Sequence, residues 1–278
     1  PMWTMLVEEA ASRRLIYTTQ EQIRLLQLAS DADAFYCQSC QGTGVDTSTI
    51  EEKAAEYRAL RREPQTSIDQ CPVSAPDLAR RAAFIYEKGD IRGKRILCIG
   101  DNDLTSLMIA HVGQPREIWV LDIDDLVLHT IAETARKQAL PIKTLRYDVR
   151  SLETKTLPPL KELMGELKFD TFIIDPPYTD KGFRFFAALG VHYLKRRGVG
   201  YAIMPCMRLE LWSYDLLFRV LSFFLNLNFV ITDVRSSFQT YEHEASVISS
   251  LIRAERLSSV KDPFVELENV HGKFYTAD

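Results

Sequence analysis

The chain has 278 residues, 46% hydrophobic and 26% charged, with 34 lysines and arginines against 38 aspartates and glutamates. Such a composition belongs to a folded globular protein able to bury its own core, and it excludes a disordered or collagen-like chain. A net charge of −4 argues against the basic surface that nucleic acid demands and suits a small cationic ligand.

Cys37, Cys40, Cys71, Cys98 and Cys206 are odd in number, and Cys98 falls in an apolar run. A disulfide framework is therefore not expected, and a reducing cytoplasm is. No signal peptide is legible, and Pro1 reads as an extra residue ahead of an initiating Met2. No apolar run approaches the ~20 residues that span a bilayer. The longest, 216–227, contains Arg219 and Asn226 and predicts a helix buried in protein.

Residues 1–66 read as a small N-terminal region and 67–278 as the main domain. A strand-like start is followed by Thr19-Gln20-Glu21-Gln22 ahead of Ile23, Leu25, Leu26 and Leu28, predicting a helix capped by Thr18 or Thr19. Cys37-x-x-Cys40 with Gly42 and Gly44 resembles half a zinc ribbon. A structural zinc needs four ligands; even with Cys71 one is missing, so bound zinc is not expected. A charged helix over 50–62 ends at Pro64.

From Ser67 onward, strands and helices alternate. The pattern predicts a helix over 78–87, then a strand over 95–99 running into Gly100. Next come a helix over 104–112, a strand over 118–121 ending at Asp122, a helix over 124–138 and a strand over 144–147 ending at Asp148. A strand over 172–174 ends at Asp175, followed by a helix over 182–194, a strand over 200–204 and a helix over 211–225. Two strands, 229–234 and 247–252, close the pattern as an antiparallel pair. His243, in Tyr241-Glu242-His243-Glu244, reads as part of their solvated turn. Short apolar strands separated by long helices imply a parallel sheet covered on both faces: an α/β, Rossmann-like fold of the S-adenosylmethionine type.

Ligands of open α/β sheets bind beyond the carboxyl ends of the strands. Four successive strand ends here carry glycine or acid: Gly100-Asp101-Asn102-Asp103, Asp122, Asp148 and Asp175. An Asp at one strand end often only caps the next helix, but four in succession mark a site. An acid ~20 residues after the first glycine turn binds a ribose hydroxyl pair, the role expected of Asp122. Asp148 then lies near the adenine. In Asp175-Pro176-Pro177-Tyr178, two prolines stiffen the turn. They fix a carboxylate that can take a proton from an amine and a ring whose face can stabilise a cation.

The Asp-Pro-Pro-Tyr string is shared with S-adenosylmethionine-dependent amino-methyltransferases that act on nucleic acid or protein, which are the alternative reading. The first loop distinguishes the two. A donor carboxylate wants glycine-rich backbone amides, whereas this loop presents Asp101 and Asp103, which suit the ammonium tail of decarboxylated S-adenosylmethionine.

The segment 100–106, Gly-Asp-Asn-Asp-Leu-Thr-Ser, the upstream Asp69-Gln70 with Ala79-Arg80-Arg81-Ala82-Ala83, and Asp175 to Tyr178 resemble the branched-chain polyamine synthase family, the N(4)-bis(aminopropyl)spermidine synthases. The resemblance spans roughly 35–255. It implies decarboxylated S-adenosylmethionine as co-substrate, spermidine as acceptor, a homodimer and a winged-helix-like N-terminal domain. It marks Asp101 as the general base and maps the family's Asp-Pro-Pro-Tyr onto Asp175 to Tyr178. With the strand-end reading, Asp101, Asp175 and Tyr178 are expected to be catalytic, with Asp101 or Asp175 as the base, Gly100, Asp103, Asp122 and Asp148 donor-binding, and Asp101, Asp103, Asp175 and Tyr178 acceptor-binding. The chain departs from the family pattern at Asn102, where the family's Gly-Asp-Asp-Asp has its middle acid, and in its short N-terminal zone.

Overall fold

The computed structural model describes residues 16–18, 23–25, 47, 50–61, 63–154, 160, 162, 164–205, 210–241, 247–257, 261–268 and 270–277. Cys37, Cys40, Cys206 and His243 lie outside the described residues. The chain forms two compact units, Pro1–Thr49 and Ile50–Asp278.

In the first unit, β1 (Ile16–Thr18) pairs antiparallel with β2 (Ile23–Leu25), Ile16 opposite Leu25 and Thr18 opposite Ile23. The helix expected from Ile23 onward is thus not formed there. Ile16, Tyr17, Thr18 and Ile23 are β-branched or aromatic, a composition that favours a ladder over a helix.

The second unit begins with α1 (Glu51–Ala59), which buries Ala54 and Tyr57. The division between the units therefore lies ahead of the Pro64 break. α2 (Ala75–Glu87) is capped by Ser74, whose hydroxyl accepts from the Asp77 amide, with Pro76 in the first turn. Then follow β3 (Arg95–Ile99), α3 (Thr105–Gly113), β4 (Glu117–Asp122), α4 (Asp125–Gln138), β5 (Ile142–Arg146), β6 (Phe169–Ile174), α5 (Asp180–Tyr193), β7 (Leu194–Pro205), α6 (Leu211–Asn226), β8 (Phe229–Thr240) and β9 (Ile248–Arg256). α4 is capped by Asp124 and α5 by Thr179.

One seven-stranded sheet runs β5-β4-β3-β6-β7-β9-β8. β3 to β7 are parallel, and β9 is antiparallel to both β7 and β8. The expected α/β Rossmann-like fold and its terminal antiparallel pair are present, with β9 seated between β7 and β8. Ile96 to Ile99 are all buried to 1% exposure or less. Successive strand residues point to opposite faces, so this requires cover on both. On one face Leu97, Ile99, Phe172 and Ile174 join Phe183, Phe223 and Phe224 in one cluster; each buried aromatic contributes roughly 1.5–3 kcal/mol.

α6 buries Leu216, Val220, Phe223 and Phe224 but leaves Leu211, Phe218 and Leu225 exposed. The run 216–227, expected as a helix buried in protein, is therefore covered on one side only. Among the described residues no helix is long and apolar enough to cross a membrane, and no cluster of metal-ligating side chains occurs.

Candidate active site

The strand order reverses between β3 and β6: from β3 the chain continues to β4 on one side, while β6 lies on the other. Ile99 pairs with Ile174, so the loops after these two strands lie side by side, as expected for Asp101 and Asp175. A cavity of about 570 Å³ opens at this switch point, within the size range of small-molecule sites. Gly100 and Asn102 line it after β3, Asp122 and Ile123 at the end of β4, Tyr147 and Val149 after β5, and Asp175 to Tyr178 after β6. Asp69, Gln70 and Cys71 close one side, and Trp212, Tyr241 and Tyr275 supply further aromatic wall.

Gly100 is held at φ +71, where a Cβ would lie 2.9 Å from Phe186 Cε1 and 3.0 Å from the Asp175 carbonyl oxygen. Only glycine allows both that dihedral and the close approach of the two loops. Asp122 fixes the same loop. Its Oδ2 accepts the Asp101 amide at 2.8 Å and its Oδ1 the Asp124 amide at 2.9 Å. Burial nevertheless raises its pKa above the ordinary carboxylate value. Asp124 in turn accepts from Gln65 Nε2 and Gln70 Nε2, both at 2.8 Å, tying the Asp69-Gln70 segment to the site.

The structure does not bring Asp101, Asp103 and Asp148 to the cavity wall. Asp101, 2% exposed, turns back to accept the Ser106 amide of α3. Burial, with Asp122 and Asp103 adding, lifts its carboxyl to about 7 against the pull of the Ser106 hydrogen bonds. Asp103 accepts Arg81 Nη2 at 3.0 Å, the Val73 amide at 3.0 Å and Arg61 Nη1 at 3.4 Å. Arg61 also donates to Asn102 Oδ1. The expected pair of free acids in the first loop is therefore replaced by one helix cap and one carboxylate neutralised by arginine. Asp148 is held on both carboxylate oxygens by Arg150, Nε to Oδ1 and Nη2 to Oδ2; burial opposes its ionisation, but the Arg150 contacts prevail and hold its pKa below the ordinary value.

Asp175, like Asp122, does reach the cavity. Its side chain keeps 20% exposure, while those of Arg81 and Asp103 keep 1% each. Arg81 Nη1 lies 3.3 Å from its Oδ2. Burial raises the Asp175 carboxyl to about 8; Arg81 opposes the shift, while the charge of Asp103, a hydrogen bond with it and the charge of Asp101 add to it. Beside it, the Tyr178 hydroxyl is hydrogen-bonded to that of Tyr241, which donates to Ser249 Oγ at 3.0 Å. Burial pushes both phenols up, so they stay neutral. Arg61, Trp212, Tyr241 and Tyr275 are parts of the site that motif reading misses, and Arg81 stands in a quoted motif without a role assigned to it. Arg81 had a legible signal, a cation between Leu78, Ala82 and Ile85 on the apolar face of an amphipathic helix.

Fold and site together define an α/β enzyme scaffold of the S-adenosylmethionine type, with its pocket at the switch point of the sheet. Residues 49–276 match the branched-chain polyamine synthase A C-terminal domain, and the chain belongs to that family. It is 33% identical over 210 residues to an uncharacterised protein of Methanocaldococcus jannaschii, covering 74% of this chain and 50% of the relative. It is 32% identical over 233 residues to the N(4)-bis(aminopropyl)spermidine synthase of Thermococcus kodakarensis, covering 82% of this chain and 63% of that protein. The crystal structure of the branched-chain polyamine synthase C9 mutein from Thermus thermophilus, in complex with N4-aminopropylspermidine and 5'-methylthioadenosine, superposes with a TM-score of 0.70 at 26% identity. That match covers 97% of this chain and 82% of the mutein. The chain thus spans half to two thirds of the length of these two curated relatives.

Proposed function

We propose that the chain transfers the aminopropyl group of decarboxylated S-adenosylmethionine to a polyamine such as spermidine. Family membership supports this reading, and one observation carries it. The described residues lining the cavity include Asp69, Asp122 and Asp175 but no lysine or arginine. Two arginines beside these acids, Arg61 and Arg81, are engaged by Asp103, Asn102, Thr105 and Asp175. Such a cavity attracts a polycation and repels a carboxylate. The preference for a donor without a carboxylate thus rests on the whole lining rather than on the first loop.

In this reading Asp122 holds the ribose hydroxyls, as its position at the end of β4 suggests. Asp175 takes a proton from the attacking ammonium. The freed nitrogen lone pair forms the new N–C bond to the aminopropyl carbon. The C–S bond breaks with its electron pair going to sulfur, and neutral methylthioadenosine leaves. The Tyr178 ring faces the cationic centre, and Asp101 acts from behind the wall by holding the Gly100 loop to α3. The family resemblance adds a homodimer, and the odd cysteine count with Cys98 in a buried strand suggests a cytoplasmic setting.

The chain, decarboxylated S-adenosylmethionine and spermidine are incubated together and followed by mass spectrometry. Methylthioadenosine and spermidine heavier by aminopropyl units are expected, and spermidine binding weakens as salt rises. Methyl transfer from S-adenosylmethionine to nucleic acid or protein, with no aminopropyl product, would refute the proposal.

A further inference from the structure

Arg81 lies on the buried face of α2 with 1% of its side chain exposed. A cation is buried this deeply only where its partners repay its lost hydration. Those partners are unequal. Nη2 donates to Asp103 Oδ2 at 3.0 Å. Nη1 donates to Thr105 Oγ1 at 2.8 Å and reaches Asp175 Oδ2 at 3.3 Å. Asp103 and Thr105 anchor the guanidinium, and Asp175 takes the long arm of a shared nitrogen.

We infer that Arg81 is a positioning residue of the proposed reaction: fixed by Asp103 and Thr105, it holds the Asp175 carboxyl at the cavity wall and favours its ionised form. It does so without closing the tight pair that would withdraw both oxygens from a substrate ammonium. The inference rests on the aminopropyl-transfer reading with Asp175 as the base.

Six titratable or charged groups act on Asp175 from the surrounding elements: Arg81 from α2, Arg61 from the segment after α1, Asp101 and Asp103 from the loop after β3, Tyr178 from its own turn and Tyr241 from the end of β8. Among the described residues, Arg81 is the one cation in ion-pair contact with it. Arg61 spends its hydrogen bonds on Asp103 and Asn102. Without Arg81, burial and two neighbouring carboxylates act on Asp175 with no adjacent counter-charge.

The test measures initial rate against pH, from 6 to 10, on the intact chain with decarboxylated S-adenosylmethionine and spermidine. Arg81→Gln is expected to move the rising limb of the profile alkaline by about one to three pH units, the usual influence of an adjacent arginine on a carboxylate. Arg81→Lys keeps the charge but not the fork; it returns the limb toward its original position at a reduced rate. Thr105→Val removes the better partner of Nη1, frees it for Asp175, and moves the limb the opposite way, to lower pH. Should Arg81→Gln not fold, Thr105→Val decides: an acid shift supports the inference and an unmoved limb overturns it. A rate lowered equally at every pH in Arg81→Gln, with the limb unmoved, also overturns it. Unsubstituted protein that transfers no aminopropyl group at any pH overturns the functional reading and this inference together; transfer with unmoved limbs overturns the inference alone.

Discussion

Replacing Asp122 by Asn separates its two tasks, holding the first loop and binding the donor. Each carboxylate oxygen now accepts a backbone amide, from Asp101 at 2.8 Å and from Asp124 at 2.9 Å. An amide side chain offers one oxygen, so in either orientation one backbone N–H meets another N–H. Leaving a buried donor unsatisfied costs about 1–3 kcal/mol. Asn is also spared the burial of charge that raises the Asp122 pKa, which places the net loss in the lower half of that range. For a unit of this size the melting temperature should fall by roughly 2–8 °C. Trading a charge-assisted bond to the ribose for a neutral one costs about 1 kcal/mol more, which weakens methylthioadenosine binding roughly five- to tenfold. Thermal unfolding followed by circular dichroism reads the first effect and titration calorimetry the second. An unchanged melting temperature refutes the loop tie. A lowered melting temperature with unchanged methylthioadenosine affinity refutes the ribose assignment.

Asp175→Asn should lower turnover by ~10²–10⁴ while leaving methylthioadenosine affinity within a few-fold in calorimetry; a turnover near that of the unsubstituted protein means another group takes the proton. Because the Asp175 carboxyl is raised to about 8 and a base works ionised, turnover of the unsubstituted protein should climb with pH through that value, and a flat profile between pH 6.5 and 9.5 counts against the assignment. Gly100→Ala places a methyl group against Phe186 and the Asp175 carbonyl at φ +71, so about 1–3 kcal/mol of stability should be lost and turnover with it, as melting and rate measurements would report; an alanine variant as stable and active as the original means the two loops do not need their close approach.

The fold was legible where the chain punctuates itself. β3, β4 and β6 are apolar runs that stop at Gly100, Asp122 and Asp175, and a run with a sharp end announces both a strand and a binding edge. β8 and β9 are longer than the apolar runs suggest, because their remaining residues are held by ladder bonds to neighbouring strands rather than by a local pattern. Their order beyond β7 is set by pairing partners, which periodicity does not encode. At Ile23 the apolar spacing fits a helix as well as a short strand, and antiparallel pairing with β1 decides it. In the site, the positions of Gly100, Asp122, Asp175 and Tyr178 followed from strand ends alone. The orientation of Asp101 and Asp103 did not. Asp103 is turned by Arg81 and Arg61, 22 and 42 residues away in sequence, and an acid next to a helix start can cap the helix or face a ligand with no change in local sequence.

The seating of β9 between β7 and β8 constrains how the domain is made. During ribosomal synthesis β7, α6 and β8 emerge before β9, yet among the described strands β8 pairs in the finished sheet with β9 alone. Until β9 is released, β7 presents an open edge on one side of the parallel sheet, and β8 lacks its ladder partner. An unpaired edge of this kind templates association with other chains. The nascent domain therefore passes through a vulnerable interval that ends only when the last strand threads between two already made. A burst of chaperone dependence, or of co-translational aggregation, should fall between the emergence of Thr240 and that of Arg256, and ribosome-arrested chains stopped on either side of β9 should differ sharply in protease resistance.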